Sequence, residues 1–168
     1  MWNKIQAFIK KIKPYILPYT VAIAIPLTVG ILSAMLTKDN MRVYEDLKAP
    51  PLSPPSIIFP IVWTVLFVLM GISSAMVYIN RDKNPEASKK GLLWYVASLV
   101  INFSWSIIFF NLQAAFFALI IITILLYTII RTVLEYRKIN PIAAYLQIPY
   151  VLWVSFATYL NVGIWLLN

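Results

Sequence analysis

Five long apolar runs separated by polar interruptions set the pattern of this chain: about Tyr15–Leu36, Ile57–Ile79, Gly91–Phe110, Ala114–Leu134 and Ile142–Leu167. Each is close to the roughly 20 residues that a helix needs to cross about 30 Å of hydrocarbon. The runs are continuous and do not alternate every second residue, which predicts helices rather than barrel strands. Charged side chains fall only at their edges. The pattern predicts an all-α integral membrane protein, residues 1–168 forming a single bundle of five transmembrane helices. Pro14, Pro60 and Pro141 stand at or near the predicted helix starts, where a missing N–H costs little. Pro26 and Pro149 fall inside runs and predict kinks there, or a later start to the span.

Composition agrees with that solvent. The 168 residues are 61% hydrophobic and 12% charged, against about 25% charged in a soluble domain. There is too little polar surface to cover a globule in water. Cysteine and histidine are both absent. That removes disulfides, zinc sites, thiol nucleophiles, Cys/His haem ligation and imidazole proton shuttles, and leaves no candidate metal ligand set. No acid–base pair or nucleophile lies inside the spans, so no catalytic residue is expected and no cofactor is required.

Charge adds a direction. Net charge is +8, and the basic residues flank apolar runs, which points to anionic lipid headgroups and not to nucleic acid. Eleven of the fourteen lie in the N-terminal flank, the second loop and the fourth loop, leaving Lys38, Arg42 and Lys48 in the first. The positive-inside rule then predicts a cytoplasmic N-terminus and an outside C-terminus. The first run is too long for a signal peptide and lacks a cleavage pattern, so the plasma membrane is expected for a bacterial source. Trp2, Trp94 and Trp165, near run ends, read as interfacial belt residues.

One polar stretch is out of scale. "NLQ" suffices between the third and fourth runs, yet about Thr37–Ser56 separates the first two. Loops longer than about 12–15 residues are often lids or binding elements. Pro50, Pro51, Pro54 and Pro55 fix φ and favour extended geometry, so the loop is either a stiff cover over one end of the bundle or a solvated connector whose prolines stop helices.

The residues from Tyr44 onward carry a resemblance. "VYEDLKAPPLSPPSIIFPIVWTVLFVLMG" resembles the first loop and second helix of the tryptophan-rich sensory protein, or translocator protein (TspO), family. "NFSWSIIFFNLQAAFFAL" resembles that family's third helix and its turn into the fourth, and "IPYVLWVSFATYLNVGIW" its fifth helix. The resemblance implies five spans, a homodimer, and an aromatic cavity inside the bundle that binds porphyrins or haem-type tetrapyrroles such as protoporphyrin IX.

Candidate site residues follow from spacing and from that resemblance together. Trp63 and Phe67 are i, i+4 and share a helix face; spacing alone leaves lipid, core or pocket open, and the resemblance implies the pocket. Asn102, Trp105 and Phe109 share a face of the third helix. An amide in hydrocarbon should point inward, either as interhelical glue or toward a ligand. On the fifth helix Trp153, Ala157 and Asn161 recur every four residues; the resemblance implies pocket roles for Trp153 and Ala157, with Asn161 read as packing. Tyr44 and Pro54 match loop positions that close over the family's cavity.

The chain departs from the family at several places. Val43, Leu52 and Ile57 stand where loop tryptophans are usual, and Lys48 is followed by Ala49 before the proline. Val162 and Leu166 replace the Tyr and Arg of the animal members' sterol-associated segment, so no specific cholesterol binding is expected. The sequence thus supports a membrane receptor or sensor for tetrapyrroles. The alternatives are porphyrin breakdown resting on tryptophan oxidation chemistry, or a passive carrier of porphyrin or lipid.

Overall fold

A computed structural model describes the backbone of residues 2–40, 44 and 47–168, and the side chains of that set from residue 14 onward. Helix α1 covers Trp2–Thr37 and α2 covers Ile58–Ile79; a single 3₁₀ turn, Arg81–Lys83, leads into α3, Pro85–Ser106. A π turn, Ile107–Asn111, extends α3 before α4, Ala115–Arg137, and the chain ends with α5, Pro141–Leu146, and α6, Ile148–Leu167. Among the described residues five stretches are long and apolar enough to cross a membrane: Pro14–Thr37, Ile58–Ile79, Pro85–Asn111, Ala115–Arg137 and Pro141–Leu167. The architecture is the all-helical, five-span one that the hydrophobic pattern predicts. Arg42 and Val43, and the side chain of Trp2, lie outside the described residues.

Three boundaries differ from the apolar pattern. The third span begins at Pro85, not Gly91, because local chemistry makes a polar turn helical. Asn84 accepts the Ala87 N–H at 3.1 Å, Pro85 sits in the first turn, and Glu86 pairs with Lys90 one turn on. The first helix runs straight through Pro14, which is therefore interior and not a start; Pro18 and Pro26 are interior as well. Each removes one backbone hydrogen bond. The fifth span is broken at Gln147, so Pro149 opens α6 and does not kink it. Asn140 caps α5, accepting from the Ile142 and Ala143 N–H groups.

Helices α3 and α4 pack side by side, α1 lies along α2, and α6 closes against α4. Met70, Ile122, Leu125, Ile129, Val154 and Ile164 are fully buried between them. Toward the α5 end the core becomes polar and is partly bonded: the buried hydroxyls of Tyr95, Tyr136 and Tyr150 have no partner among the described residues, while Ser73 donates to the Ala143 carbonyl at 2.7 Å and Gln147 donates to Ser73 at 3.2 Å. That chain ties α2 to the α5–α6 break and satisfies groups that hydrocarbon would leave unpaired.

Candidate functional site

A cavity of about 210 Å³ lies between α1, α2 and α3. Trp63 and Phe67 from α2 form one wall, their rings stacked with centroids 5.4 Å apart. Trp105 and Asn102 from α3 form the second, and Leu27, Gly30, Ser33, Ala34 and Thr37 from α1 the third. Gly30 is required here. A Cβ at that position would fall 2.3 Å from a Phe67 ring carbon, so only glycine lets the ring lie against α1.

Two side chains give the cavity its character. Trp105 has its N–H fixed by Asn161 Oδ1 at 3.2 Å, and Asn161 Nδ2 donates to the Ala115 carbonyl at 2.9 Å. That places Asn161 as packing glue across α3, α4 and α6 and holds the Trp105 ring face in one orientation. Asn102 is 5% exposed, and its Oδ1 accepts no hydrogen bond among the described residues. An unpaired buried carbonyl costs about 1–3 kcal/mol.

The end of the cavity nearest the first loop is covered. Asn40 Nδ2 donates to Asn111 Oδ1 at 3.0 Å and Asn111 Nδ2 donates to the Leu36 carbonyl, so the π turn caps the last turn of α1. The described part of the first loop, 47–56, is clasped by α6. Asn168 accepts the Lys48 N–H and donates to the Lys48 carbonyl, both at 3.0 Å, and Tyr159 donates to the Pro51 carbonyl at 2.8 Å. Gly163 lets Pro50 seat against the helix, since a Cβ there would meet Pro50 Cγ at 2.4 Å. Ser53 closes a turn onto the Pro50 carbonyl, which forces Leu52 to φ 68° with its side chain outward.

The nine sequence-derived candidates separate in space. Trp63, Phe67, Asn102 and Trp105 come together around the cavity. Tyr44 and Pro54 meet beneath the loop, the phenol reaching the Pro54 carbonyl at 3.5 Å and the ring lying edge-on to Phe59 at 5.1 Å. Phe59 itself lines the cavity. Trp153 does not; it sits in a lipid-open groove between α2 and α6, separated from the cavity by Phe59 at 5.8 Å. Ala157 is buried on α6 away from the cavity. Phe109 stacks behind Trp105 at 5.3 Å and faces an outer hollow with Leu47 and Trp165.

Phe110 takes the place that helical spacing gives to Phe109. The Leu112 N–H reaches back to the Ile107 carbonyl, a π-type bond, and the wider turn moves the inward-facing position along by about one residue. The α1 wall was also missed. Its small residues, Gly30, Ser33 and Ala34, are the one signal that could have marked it, because small side chains leave room beside the rings.

Comparison with known proteins gives the family. The pattern of the TspO/MBR family matches residues 22–166. The chain is 36% identical over 154 residues to the tryptophan-rich protein TspO of Chlorobaculum tepidum, covering 91% of this chain and 97% of that protein. It is 30% identical to the tryptophan-rich sensory protein of Cereibacter sphaeroides, over 86% and 85% of the two chains. With the translocator protein of Homo sapiens it shares 29% identity over 88% and 86%. A five-span bundle with an aromatic cavity and a clasped first loop, matched along nearly its whole length, belongs to the TspO/MBR family.

Proposed function

We propose that this protein is a membrane receptor for planar, amphipathic tetrapyrroles of the protoporphyrin IX or haem type, taken up by the cavity between α1, α2 and α3. The observation that carries the reading is a slot walled by the Trp63 and Trp105 rings and lined also by the Asn102 amide. Indole faces suit a flat apolar ring. The Asn102 amide on the same lining can bond a polar edge of the ligand.

Size shapes the mode of binding. Sites that engulf a drug-sized ligand run to about 300–1,000 Å³, more than the 210 Å³ here. A tetrapyrrole would therefore enter edge first from the bilayer, where Ala34 and Thr64 are exposed along the α1–α2 seam. Propionates left at the outer end would lie toward Lys38 and Lys48, both exposed. Since the chain has no histidine or cysteine, recognition rests on the ring, and metal-free porphyrin should compete on equal terms with haem. The same reading puts the basic end in the cytoplasm, of a plasma membrane in a bacterial host, with two copies forming the working unit.

The test is a titration of purified protein in mild detergent with protoporphyrin IX, followed by tryptophan quenching, with haem as competitor. Saturable quenching that is lost in a Trp63→Ala, Trp105→Ala double variant is the expected result. Equal affinity in wild type and double variant would sink the reading.

A further inference from the structure

A second cluster of chemistry lies at the other, basic end of the bundle, in the seam between α3 and α4. Gly91 of α3 lies against Glu135 and Tyr136 of α4, a Cβ there falling 3.1 Å from that of Glu135. The contact sets Lys90 and Trp94 of α3 level with Tyr127, Arg131 and Glu135 of α4. The Arg131 guanidinium lies 5.2 Å from the centre of the Trp94 ring and 5.9 Å from that of Tyr127, and donates to the Tyr127 hydroxyl at 3.1 Å. Two aromatic faces thus hold the cation in place.

Charge matching leaves Arg131 over. Lys138 is bonded to the buried Glu135 at 2.8 Å, and Lys90 is paired with Glu86. Arg131 reaches Glu135 only at 3.9 Å, and on the oxygen that Lys138 does not take. These three cations and two carboxylates sum to one unmatched positive charge. The Arg131 side chain is 37% exposed, and its exposed neighbours Tyr127, Ile130 and Leu134 are those of a face turned to acyl chains. It stands six residues before the end of α4, about 9 Å along the axis, where the hydrocarbon gives way to headgroups. A cation there is costly without a partner, and a guanidinium keeps further N–H groups in a fork that fits phosphate oxygens.

We infer that the α3–α4 seam, through Arg131 held by Trp94 and Tyr127 and with Lys90 and Lys138 beside it, is a binding site for the phosphodiester of an anionic phospholipid. The apolar flank of the site selects a lipid over a soluble phosphate: the acyl chains lie along Ile130 and Ile124, both exposed on the membrane side of Arg131, while the headgroup meets the cation. The single unmatched charge fits one phosphodiester, and a neutral headgroup that carries its own cation fits less well.

The full-length protein in mild detergent is titrated with phosphatidylglycerol, phosphatidylcholine or inorganic phosphate, and retained lipid is counted by native mass spectrometry. Wild type should retain phosphatidylglycerol over phosphatidylcholine. Arg131→Gln should lower phosphatidylglycerol retention about fivefold, one cation near the surface being worth about that factor. Lys83→Gln, at an exposed turn position, should leave it unchanged, and millimolar phosphate should displace nothing. Retention by Arg131→Gln equal to wild type, equal retention of the two lipids, or displacement by free phosphate would each overturn the assignment. Should Arg131→Gln not fold, photo-crosslinking of wild type with a diazirine-bearing phosphatidylglycerol decides: adducts concentrated at 90–94 and 127–131 support the site, and adducts spread around the bundle refute it.

Discussion

Asn102 separates a binding cavity from a packing defect, and Asn102→Leu is the substitution that reads the difference. Leucine has the same heavy-atom branching and no polar atom. In the free protein the buried Oδ1 has no partner among the described residues, a condition that costs about 1–3 kcal/mol. Removing it should stabilise the fold by that order, or about 2–4 °C in Tm for each kcal/mol in a chain of this size. Binding should move the other way. A neutral hydrogen bond to ligand contributes about 1 kcal/mol, so porphyrin affinity should fall about fivefold. The assays are thermal unfolding in detergent, followed by tryptophan emission, and a porphyrin titration of the same preparation. Stability up with affinity down is the signature of a side chain kept for a ligand. A variant that melts earlier and binds unchanged would show that Asn102 is interhelical glue, and the argument from its unpaired oxygen would fail.

Three further outcomes follow from the same geometry. Trp63→Ala and Trp105→Ala should each weaken porphyrin binding by at least the 0.5–1.5 kcal/mol or so of an aromatic contact, while Trp153→Ala, one ring removed from the cavity, should change it little in the same titration. Gly163→Leu should lift the first loop off α6, because even a Cβ would meet Pro50 at 2.4 Å; the chain has no cysteine, so a single fluorophore on Leu52→Cys reports the movement, with faster porphyrin release, and an unmoved label in Gly163→Leu would contradict the clasp. Asn161→Leu frees both the Trp105 N–H and the Ala115 carbonyl and should destabilise by about 1–3 kcal/mol, seen as a lower Tm, with a wild-type Tm as the contrary result.

Much of the architecture was legible in one dimension because the bilayer acts on the chain locally. A span must be about 20 apolar residues whatever it packs against, so the number of spans and the all-α class could be read from hydropathy. Capping is local too, and Asn84-Pro85 and Asn140-Pro141 mark helix starts by their own chemistry. The long proline loop could be picked out by length alone.

What the sequence could not decide is which faces meet. Trp63 and Trp153 both sit on apolar helices with aromatic neighbours four or three residues away. Only the setting of α2 and α6 turns the first into the cavity and leaves the second in a groove behind Phe59. The spanning part of helix α1, Pro14–Thr37, has no charged residue on any face, so hydropathy does not distinguish the wall formed by Gly30, Ser33 and Ala34. The π turn changes the register of the rings that follow it without any marker residue, and Phe110 lines the cavity where Phe109 was expected, while Phe109 is buried behind Trp105. Arg131 likewise reads from its neighbours as one more basic flank residue; its clamp needs Trp94 from another helix. Hydrophobicity is a property of each residue and its near neighbours, and it determined which segments cross. Facing is a property of pairs far apart in the chain, set by how side chains interlock across helices, and the tertiary structure alone decided it.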